Sequence, residues 1–308
     1  MHAFLSHSSA QLPIARRVER ALASAGIESW LDDSDIRAGA LLRDQLSTAI
    51  GEADAFVVLW SRTAAASRWV ASELLTAFHL GKPIIPCVCD DAALPDFLSS
   101  VLQVEIEPRS RRWAALLVRA VRDARFVKPL AMSSQEPRLV ETIRALAEQQ
   151  QRVLAALLDR DTAKAARAQQ VADTALATAR RRWRYDAELL NLAGYHSKNA
   201  YMIKHWEQIQ AGLVPADKLL RDAEKLFFRS LFRNPDDGAA LNGLASILIL
   251  EHELCAAAFF NARAIQLVAA EGGRYPEAVH DRDLIQHYLR RAGVTCGETV
   301  SHLVRETA

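Results

Sequence analysis

The sequence has few cysteines, no surplus of charge of one sign and no histidine cluster. Its four cysteines, Cys87, Cys89, Cys255 and Cys296, lack the spacing of a metal site, and the nine histidines form no ligand set. The 38 basic and 37 acidic side chains give the 308 residues a formal charge of +1, without the overall basic footprint of a nucleic-acid-binding protein. We therefore expect neither a metal centre nor a nucleic-acid partner.

Signals for membranes and export are also missing. No apolar stretch approaches the length of about 20 residues that a spanning helix needs. The N-terminus enters a predicted strand at once, so we expect no signal peptide. Because so few cysteines suit a reducing compartment, we expect a cytoplasmic chain.

The first 126 residues alternate short apolar runs with amphipathic helices. Strands separated by helices indicate a parallel, doubly wound α/β sheet, whose functional crevice lies at the carboxyl ends of its strands. Ser6 to Ser9, Asp32 to Gly39 and Trp60-Ser61 fall at such ends. The predicted strands are residues 3–6, 27–31, 54–60, 83–89 and 102–106, and the last predicted helix is 111–125.

Five motifs stand in order along this segment. They are Phe4-Leu5-Ser6-His7-Ser8-Ser9, then Trp30-Leu31-Asp32 followed by Asp35-Ile36-Arg37-Ala38-Gly39, then Val57-Val58-Leu59-Trp60-Ser61, Trp69-Val70-Ala71-Ser72-Glu73 and Gly81-Lys82-Pro83-Ile84-Ile85-Pro86. With these motifs, residues 1–126 resemble a Toll/interleukin-1 receptor (TIR) domain of the bacterial type, which implies a flavodoxin-like, five-stranded parallel sheet. Ala10 departs from the family pattern, in which an acidic residue is common at that place.

The resemblance implies cleavage of the nicotinamide–ribose bond of NAD, with Glu73 as the catalytic carboxylate. Nicotinamide leaves as a neutral ring from a pyridinium, so it needs no proton, unlike the sugar oxygen in a glycosidase with two carboxylates. A fixed carboxylate beside the ribose can stabilise the oxocarbenium-like charge that develops there. No Gly-x-Gly-x-x-Gly run follows any predicted strand, so NAD would be a substrate, and no cofactor is expected.

Other residues border the same crevice by family position. His7, Ser8 and Ser9 either donate to phosphate at a helix N-terminus or simply cap that helix. Trp69, four residues before Glu73 and therefore on the same helix face, either walls the ribose pocket or belongs to the core. The predicted NAD-binding set is His7, Ser8, Ser9, Asp32, Arg37, Trp60, Ser61 and Trp69, of which Arg37 is alternatively a solvated loop charge.

A predicted linker, residues 127–137, leads into an all-helical region, residues 138–308. A 4-3 apolar repeat through Leu139, Leu146 and Val153 predicts either a coiled-coil seam or a helical hairpin that turns near residues 159–161. The arginine run around Trp183, residues 180–184, is either a phosphate-binding patch or a solvated helix face.

A partial repeat follows this long helical segment. Ala223, Phe227, Ser230 and Pro235 resemble the second helix of a tetratricopeptide unit. We therefore predict a long helix or hairpin at 138–192, repeat-like units at about 193–270 and a capping segment at 271–308. Repeats of this kind bind peptides or proteins, or only hold protomers together.

Together these features predict an NAD hydrolase that TIR self-assembly activates, acting as a bacterial immune (anti-phage) effector. In the family, the BB loop of one protomer, here Asp35 to Gly39, commonly helps complete the site of its neighbour. We expect self-association through both regions and a protein or small-ligand trigger on the helical region. The alternatives are a cyclase that makes a cyclic ADP-ribose signal and a non-enzymatic TIR adaptor.

Overall fold

A computed structural model describes residues 1–31, 41–107, 110, 112–126, 128 and 136–307, except for the side chains of 41–45. The chain divides into two compact units. The first comprises Met1–Leu130 and Thr295–Glu306, and the second comprises Ala131–Val294. Most of the predicted linker lies outside the described residues.

The first unit is built on a five-stranded parallel sheet, as the alternation of strands and helices predicts. Its strands are β1 (His2–Ser6), β2 (Glu28–Leu31), β3 (Ala55–Trp60), β4 (Ile84–Val88) and β5 (Val104–Glu105), in the order β2-β1-β3-β4-β5. The chain moves from β1 to one side and then returns to the other side at β3, which makes a topological switch point between these strands. Ser6 pairs with Val58 at this point.

Helices cover both faces of the sheet. They are α1 (Leu12–Ala23), α2 (Leu41–Glu52), the short α3 (Arg62–Ala65), α4 (Arg68–His79) and α5 (Arg112–Asp123). Alternate strand residues point to opposite faces. Leu5 and Val57 pack in one core cluster with Val18 of α1 and Leu117 of α5. Ser6 therefore shares the opposite face with Phe4 and lies towards α4.

Strand β5 is shorter than the predicted run of residues 102–106. Leu102, which begins that run, is 85% exposed and precedes the strand. Only Val104 and Glu105 pair with β4, opposite Cys87 and Val88. An edge strand has one neighbour to pair with, so an apolar run here does not guarantee a long ladder.

The second unit is helical throughout its ordered elements. They are α6 (Pro137–Leu158), α7 (Thr162–Arg182), α8 (Ala187–Lys204), α9 (Trp206–Gln210), α10 (Lys218–Leu231), α11 (Gly238–Leu250), α12 (Leu254–Ala270) and α13 (Pro276–Ala292). Of the two predicted alternatives, the hairpin is present: α6 and α7 pack together across a turn in which Arg160 has a φ of 59°. The stripe that predicted a seam is internal, because Leu146 packs with Ala172 and Leu176, and Val153 packs with Ala165.

The ring of Phe227 of α10 packs against both α8 and α11. A Cβ on Gly194 of α8 would lie 2.7 Å from its ring, and one on Gly243 of α11 would lie 2.4 Å from it. Both distances are shorter than an ordinary van der Waals contact. The Phe227 ring therefore fits only because each of the two helices has glycine at the position that faces it. The assignment of these helices as tetratricopeptide units stays a prediction.

The C-terminal helix, α14 (Glu298–Glu306), packs against α2 of the first unit. It buries Val300 and Leu303. A Cβ on Gly51 of α2 would lie 3.0 Å from Thr299 Oγ1, so the two helices approach closely. The sequence predicts instead that this segment caps the helical region. An apolar stripe shows that a helix is covered, but not which surface covers it.

Candidate active site

Helix α4 carries Glu73 into the interior of the first unit. The helix begins after Ser67, whose hydroxyl accepts a hydrogen bond from the Val70 amide at 3.4 Å. Val70 and Ala77 are fully buried and lie three residues before and four residues after Glu73, so the helix face that carries Glu73 points inward. The Glu73 side chain is 5% exposed as a result.

The carboxylate of Glu73 meets the last residue of β1. The Ser6 hydroxyl donates to Glu73 Oε2 at 2.6 Å, and Ser6 is fully buried. Hydrogen bonds to an ionised acceptor are short and about twice as strong as neutral ones. This bond therefore fixes the carboxylate at the carboxyl end of the sheet, beside the switch point.

A chain of hydroxyl groups joins the loops that follow β1 and β3. Ser8 Oγ donates to Gln11 Oε1 at 2.9 Å and lies 2.8 Å from Thr63 Oγ1. Thr63 Oγ1 lies 2.9 Å from Ser61 Oγ. Because the amide oxygen of Gln11 can only accept, the hydroxyl protons run in one direction, from Ser61 to Thr63 to Ser8 to Gln11. The chain bridges the two strand ends that form the switch point.

Ser8 and Ser61 also hold local turns. The Ser8 amide donates to Gln11 Oε1 at 3.1 Å, at the start of a 3-10 turn over Ser9–Gln11. Ser61 is the N-cap of α3 and accepts from the Ala64 amide at 3.2 Å. Ser61 therefore caps α3 through its hydroxyl, whereas at Ser8 the side chain of Gln11 accepts from the backbone amide.

The predicted tryptophans occupy different environments. Trp60 is 2% exposed, and its indole N–H donates to the Ala93 carbonyl at 2.9 Å, which makes it a core residue at the end of β3. Trp69 is half-buried, and the Arg68 guanidinium lies 5.0 Å from its ring centroid. Trp69 thus keeps an accessible edge one helical turn before Glu73.

The remaining predicted residues divide between the described and undescribed parts. His7 is 5% exposed directly after β1, whereas Ser9 is exposed. Asp32, Arg37 and the loop from Asp35 to Gly39 lie outside the described residues.

Three polar residues of the site, Ser6, Gln11 and Thr63, are absent from the predicted set. Ser6 lies on the same strand face as Phe4, and a hydroxyl at the end of a buried strand is a usable sequence signal. Gln11 stands three residues after Ser8, as in a capping box. Thr63 carries no comparable signal for its contact with Ser8, because the two residues are 55 positions apart.

The end of β4 provides a carboxylate and protonated thiols. Asp90 accepts from the amides of Arg62 at 3.0 Å and Ala92 at 2.9 Å, and these bonds hold its pKa below the ordinary value. Burial raises the pKa of Cys89 to about 11 and also raises that of Cys87. Both thiols are free and stay protonated at neutral pH, as expected for residues that serve in packing.

Within the described ranges, no group of three or more His, Cys, Asp or Glu side chains is placed to hold a metal ion. Nor does the described part of the chain contain a helix with the length and apolar character needed to cross a membrane.

A cavity of about 400 Å³ is lined by α1 and α5, on the sheet face opposite α4 and away from Glu73.

Residues 3–116 match a family model described as a TIR domain. No curated protein and no solved structure matches the chain. The matched span includes β1 from Ala3 onwards, the other four strands, the hydroxyl chain and Glu73. Residues 3–116 are therefore a TIR domain, and a helical region follows it.

Proposed function

We propose that this chain is an NAD glycohydrolase in which Glu73 is the catalytic carboxylate. The observation that carries the proposal is the position of Glu73, 5% exposed and held by Ser6 at the carboxyl end of β1. Burying a carboxylate is costly, and glutamate is among the residue types least often found inside a protein. A catalytic role for Glu73 explains why its carboxylate is buried despite this cost in free energy.

The proposed reaction breaks the bond between C1′ of the ribose and the nicotinamide nitrogen. The bonding electron pair moves to the pyridinium nitrogen, so neutral nicotinamide departs without a proton. Positive charge develops on C1′ and the ring oxygen, and the Glu73 carboxylate stabilises it. Water then adds to C1′ and releases a proton, which yields ADP-ribose.

The chain of hydroxyl groups supports the proposal that a nucleotide binds at the same crevice. Ser61, Thr63 and Ser8 connect the ends of β1 and β3 through contacts of 2.8 and 2.9 Å. Open α/β sheets bind ligands at such a switch point. We propose that these hydroxyls, with His7, Ser9 and Trp69, contact the ribose and phosphates, and that Asp32 and Arg37 border them.

Self-association belongs to the proposal. The loop from Asp35 to Gly39 of one protomer would complete the site of a neighbour, so assembly would switch on cleavage. A chain that depletes NAD only when assembled fits a bacterial immune effector. The trigger would act on the helical region.

Replacing Glu73 by glutamine tests the chemistry. We expect Glu73→Gln to keep the melting temperature of the parent and to lower NAD cleavage on the order of 10²- to 10³-fold, because the amide lacks the charge that stabilises the transition state. NAD consumption is measured over rising protein concentrations. Glu52→Gln is the matched control, since Glu52 is exposed in the same domain and should keep parental activity.

Product chromatography separates the alternatives. A cyclic product that Glu73→Gln abolishes would identify the cyclase, which uses the same carboxylate. Parental activity in Glu73→Gln would rule out the assignment. A folded parent that consumes no NAD at any concentration would support the adaptor.

A further inference from the structure

The hydroxyl chain from Ser61 through Thr63 and Ser8 ends at Gln11, and this end fixes its direction. Gln11 Oε1 accepts from the Ser8 amide at 3.1 Å as well as from the Ser8 hydroxyl at 2.9 Å. A backbone amide only donates, so the oxygen of the Gln11 carboxamide, and not its nitrogen, faces Ser8. The proton of the Ser8 hydroxyl is therefore committed to Gln11.

Thr63 is the member of the chain that a ligand can reach. It is exposed, whereas Ser8 and Ser61 are 8% and 5% exposed. Because the Ser8 proton is committed to Gln11, Thr63 Oγ1 donates its own proton to Ser8 at 2.8 Å and accepts one from Ser61 at 2.9 Å. A hydroxyl has one proton and two lone pairs. Thr63 therefore offers a ligand one lone pair and no proton.

A ligand that offers only acceptors must break a bond of this chain. If Thr63 turned its proton towards the ligand, Ser8 would have to turn its own proton to Thr63, and the Ser8–Gln11 bond would be lost. A ligand that offers a donor keeps every bond of the chain and adds one. Since an ionised phosphate oxygen carries no proton, Thr63 favours a hydroxyl or an amine over a phosphate.

The charges of the surrounding segments act in the same direction. Residues 6–11, 61–73 and 89–95, which lie at or after the ends of β1, β3 and β4, carry two arginines and three carboxylates. They are Arg62 and Arg68 against Glu73, Asp90 and Asp91, besides the imidazole of His7. The Arg62 guanidinium is occupied by Asp91 at 2.7 Å, and Arg68 Cζ lies 5.0 Å from the centroid of the Trp69 ring. This local excess of negative charge disfavours a phosphate beside Thr63.

The hydroxyl chain also lies close to the proposed reaction centre. Ser6, whose hydroxyl holds Glu73, stands two residues before Ser8, so the Cα atoms of the two serines are at most about 7 Å apart. In the proposed reaction, Glu73 stabilises charge at C1′ of the nicotinamide ribose. The hydroxyls on C2′ and C3′ of that ring are the hydrogen-bond donors of NAD nearest to C1′.

We propose that Thr63 determines specificity in this site by accepting a hydrogen bond from the 2′- or 3′-hydroxyl of the nicotinamide ribose. Gln11 is the positioning residue, because it keeps Thr63 an acceptor. The inference rests on the proposed cleavage of NAD and narrows it. The hydroxyl chain contacts the ribose, and the pyrophosphate lies elsewhere in the crevice.

Two pairs of NAD analogues test the direction of the hydrogen bond. In the first pair, a methoxy group replaces the 2′- or the 3′-hydroxyl of the nicotinamide ribose, which keeps the oxygen acceptor and removes the proton. In the second pair, the same changes are made in the adenosine ribose. Each analogue competes with NAD during cleavage by the full-length protein. Selectivity is the inhibition constant of the analogue divided by the KM of NAD.

Replacing Thr63 by valine removes the acceptor. We expect Thr63→Val to lower the selectivity against one analogue of the first pair by about 2- to 10-fold, the effect of one neutral hydrogen bond. Valine has the shape of threonine, so the steric cost of the methoxy group cancels in the comparison. Selectivity against the second pair should not change. Thr295→Val, at an exposed position of the same unit, is the matched control and should keep every parental selectivity.

Substitutions of Gln11 test the positioning role. Gln11→Leu removes the acceptor for the Ser8 proton, so Thr63 becomes free to donate to the methoxy oxygen, and selectivity should fall as it does in Thr63→Val. Gln11→Glu keeps an oxygen acceptor at this place and should retain the parental selectivity. A merely structural role of Gln11 would lower the activity of both variants without separating their selectivities. Gln11 is 4% exposed, so Thr63→Val remains the deciding variant if Gln11→Leu does not fold.

The outcomes separate this inference from the proposed function. A parent that cleaves NAD, with selectivity unchanged in Thr63→Val, would refute the inference and leave the proposed function standing. A loss of selectivity against the second pair instead would place the adenosine ribose at Thr63 and overturn the assignment. A folded parent that consumes no NAD would refute the proposed function, and the inference with it.

Discussion

The Ser6–Glu73 hydrogen bond acts directly on the carboxylate of the proposed chemistry. It joins a fully buried hydroxyl to a carboxylate that is 5% exposed. A buried acceptor that loses a donor keeps part of its desolvation cost without compensation. Ser6 is therefore expected to position the carboxylate and to stabilise the domain.

Removing that hydroxyl tests this role. Ser6→Ala should lower the free energy of unfolding of the TIR domain by about 1 to 3 kcal/mol. Under the proposed function, it should also reduce NAD cleavage by less than Glu73→Gln does, because the charge itself remains. Chemical denaturation and the NAD assay measure the two effects.

Ser24→Ala is the matched control for this change. The exposed Ser24 hydroxyl donates to the Ala21 carbonyl at 2.8 Å at the end of α1, in the same domain. Its loss should change stability by less than about 0.5 kcal/mol, as is usual for a surface substitution. Equal losses of stability from the two substitutions would show that the Ser6–Glu73 bond contributes no more to stability than an exposed hydrogen bond does.

Among elements, α8, α10 and α11 depend on one aromatic ring. Phe227 is fully buried, and the glycines at 194 and 243 face it from two helices. The sequence identified Phe227 from its repeat-like spacing. The need for glycine at both positions follows only from the distances between the packed helices.

Adding one methyl group at Gly243 tests this packing. Its Cβ would lie 2.4 and 2.5 Å from two ring atoms of Phe227, so the ring or a helix must shift. We expect Gly243→Ala to destabilise the helical region by about 1 to 3 kcal/mol, the usual cost of overpacking. Urea unfolding followed by circular dichroism measures the change.

A double-mutant cycle gives the control for Gly243→Ala. Phe227→Leu removes the ring atoms that the new methyl group meets. The double variant should therefore be more stable than the sum of the two single effects predicts. Simple additivity would mean that the cost arises elsewhere, for example in the backbone.

The apolar stripe on α6 is also explained at this scale. Its spacing allowed a seam between protomers, yet Leu146 and Val153 are 3% and 0% exposed inside the helical unit. A polar substitution there would disrupt the unit itself. It would therefore not report on association.

At the scale of the whole molecule, the chain returns to its first unit after completing the second. Helix α14 buries Leu303 at 8% exposure and packs on α2, more than 240 residues earlier in the sequence. A fragment that ends near residue 130 therefore lacks an element of its own unit. The helical region cannot be treated as a simple C-terminal addition.

Shortening Leu303 tests this assignment. Leu303→Ala should destabilise the first unit by about 2 to 5 kcal/mol, the range for a buried leucine, or less if α14 collapses onto the space. Amide hydrogen exchange should show reduced protection in α2 and unchanged protection in α11. His302→Ala, exposed on the same helix, is the control. Loss of protection in α11 instead would place α14 with the helical unit.

Local patterns in the sequence determined much of this protein. Continuous apolar runs predicted the strands of the TIR domain, and the spacing from Trp69 to Glu73 predicted that the indole and the carboxylate share one face of a helix. Gly26, with a φ of 72°, ends the segment after α1 as predicted, since few other residues adopt that conformation without strain. These features depend on neighbours within a few residues, and so they can be predicted from the sequence.

Tertiary structure alone decided which distant residues meet. Ser6 reaches Glu73 across 67 positions, Ser8 reaches Thr63 across 55, and Arg229 lies beside Arg180 because α10 packs against the end of α7. Net charge and periodicity are averages along the chain, so they do not reveal where charges converge. Packing of complete helices and strands fixes those positions, because each element must bury its apolar face against a particular partner.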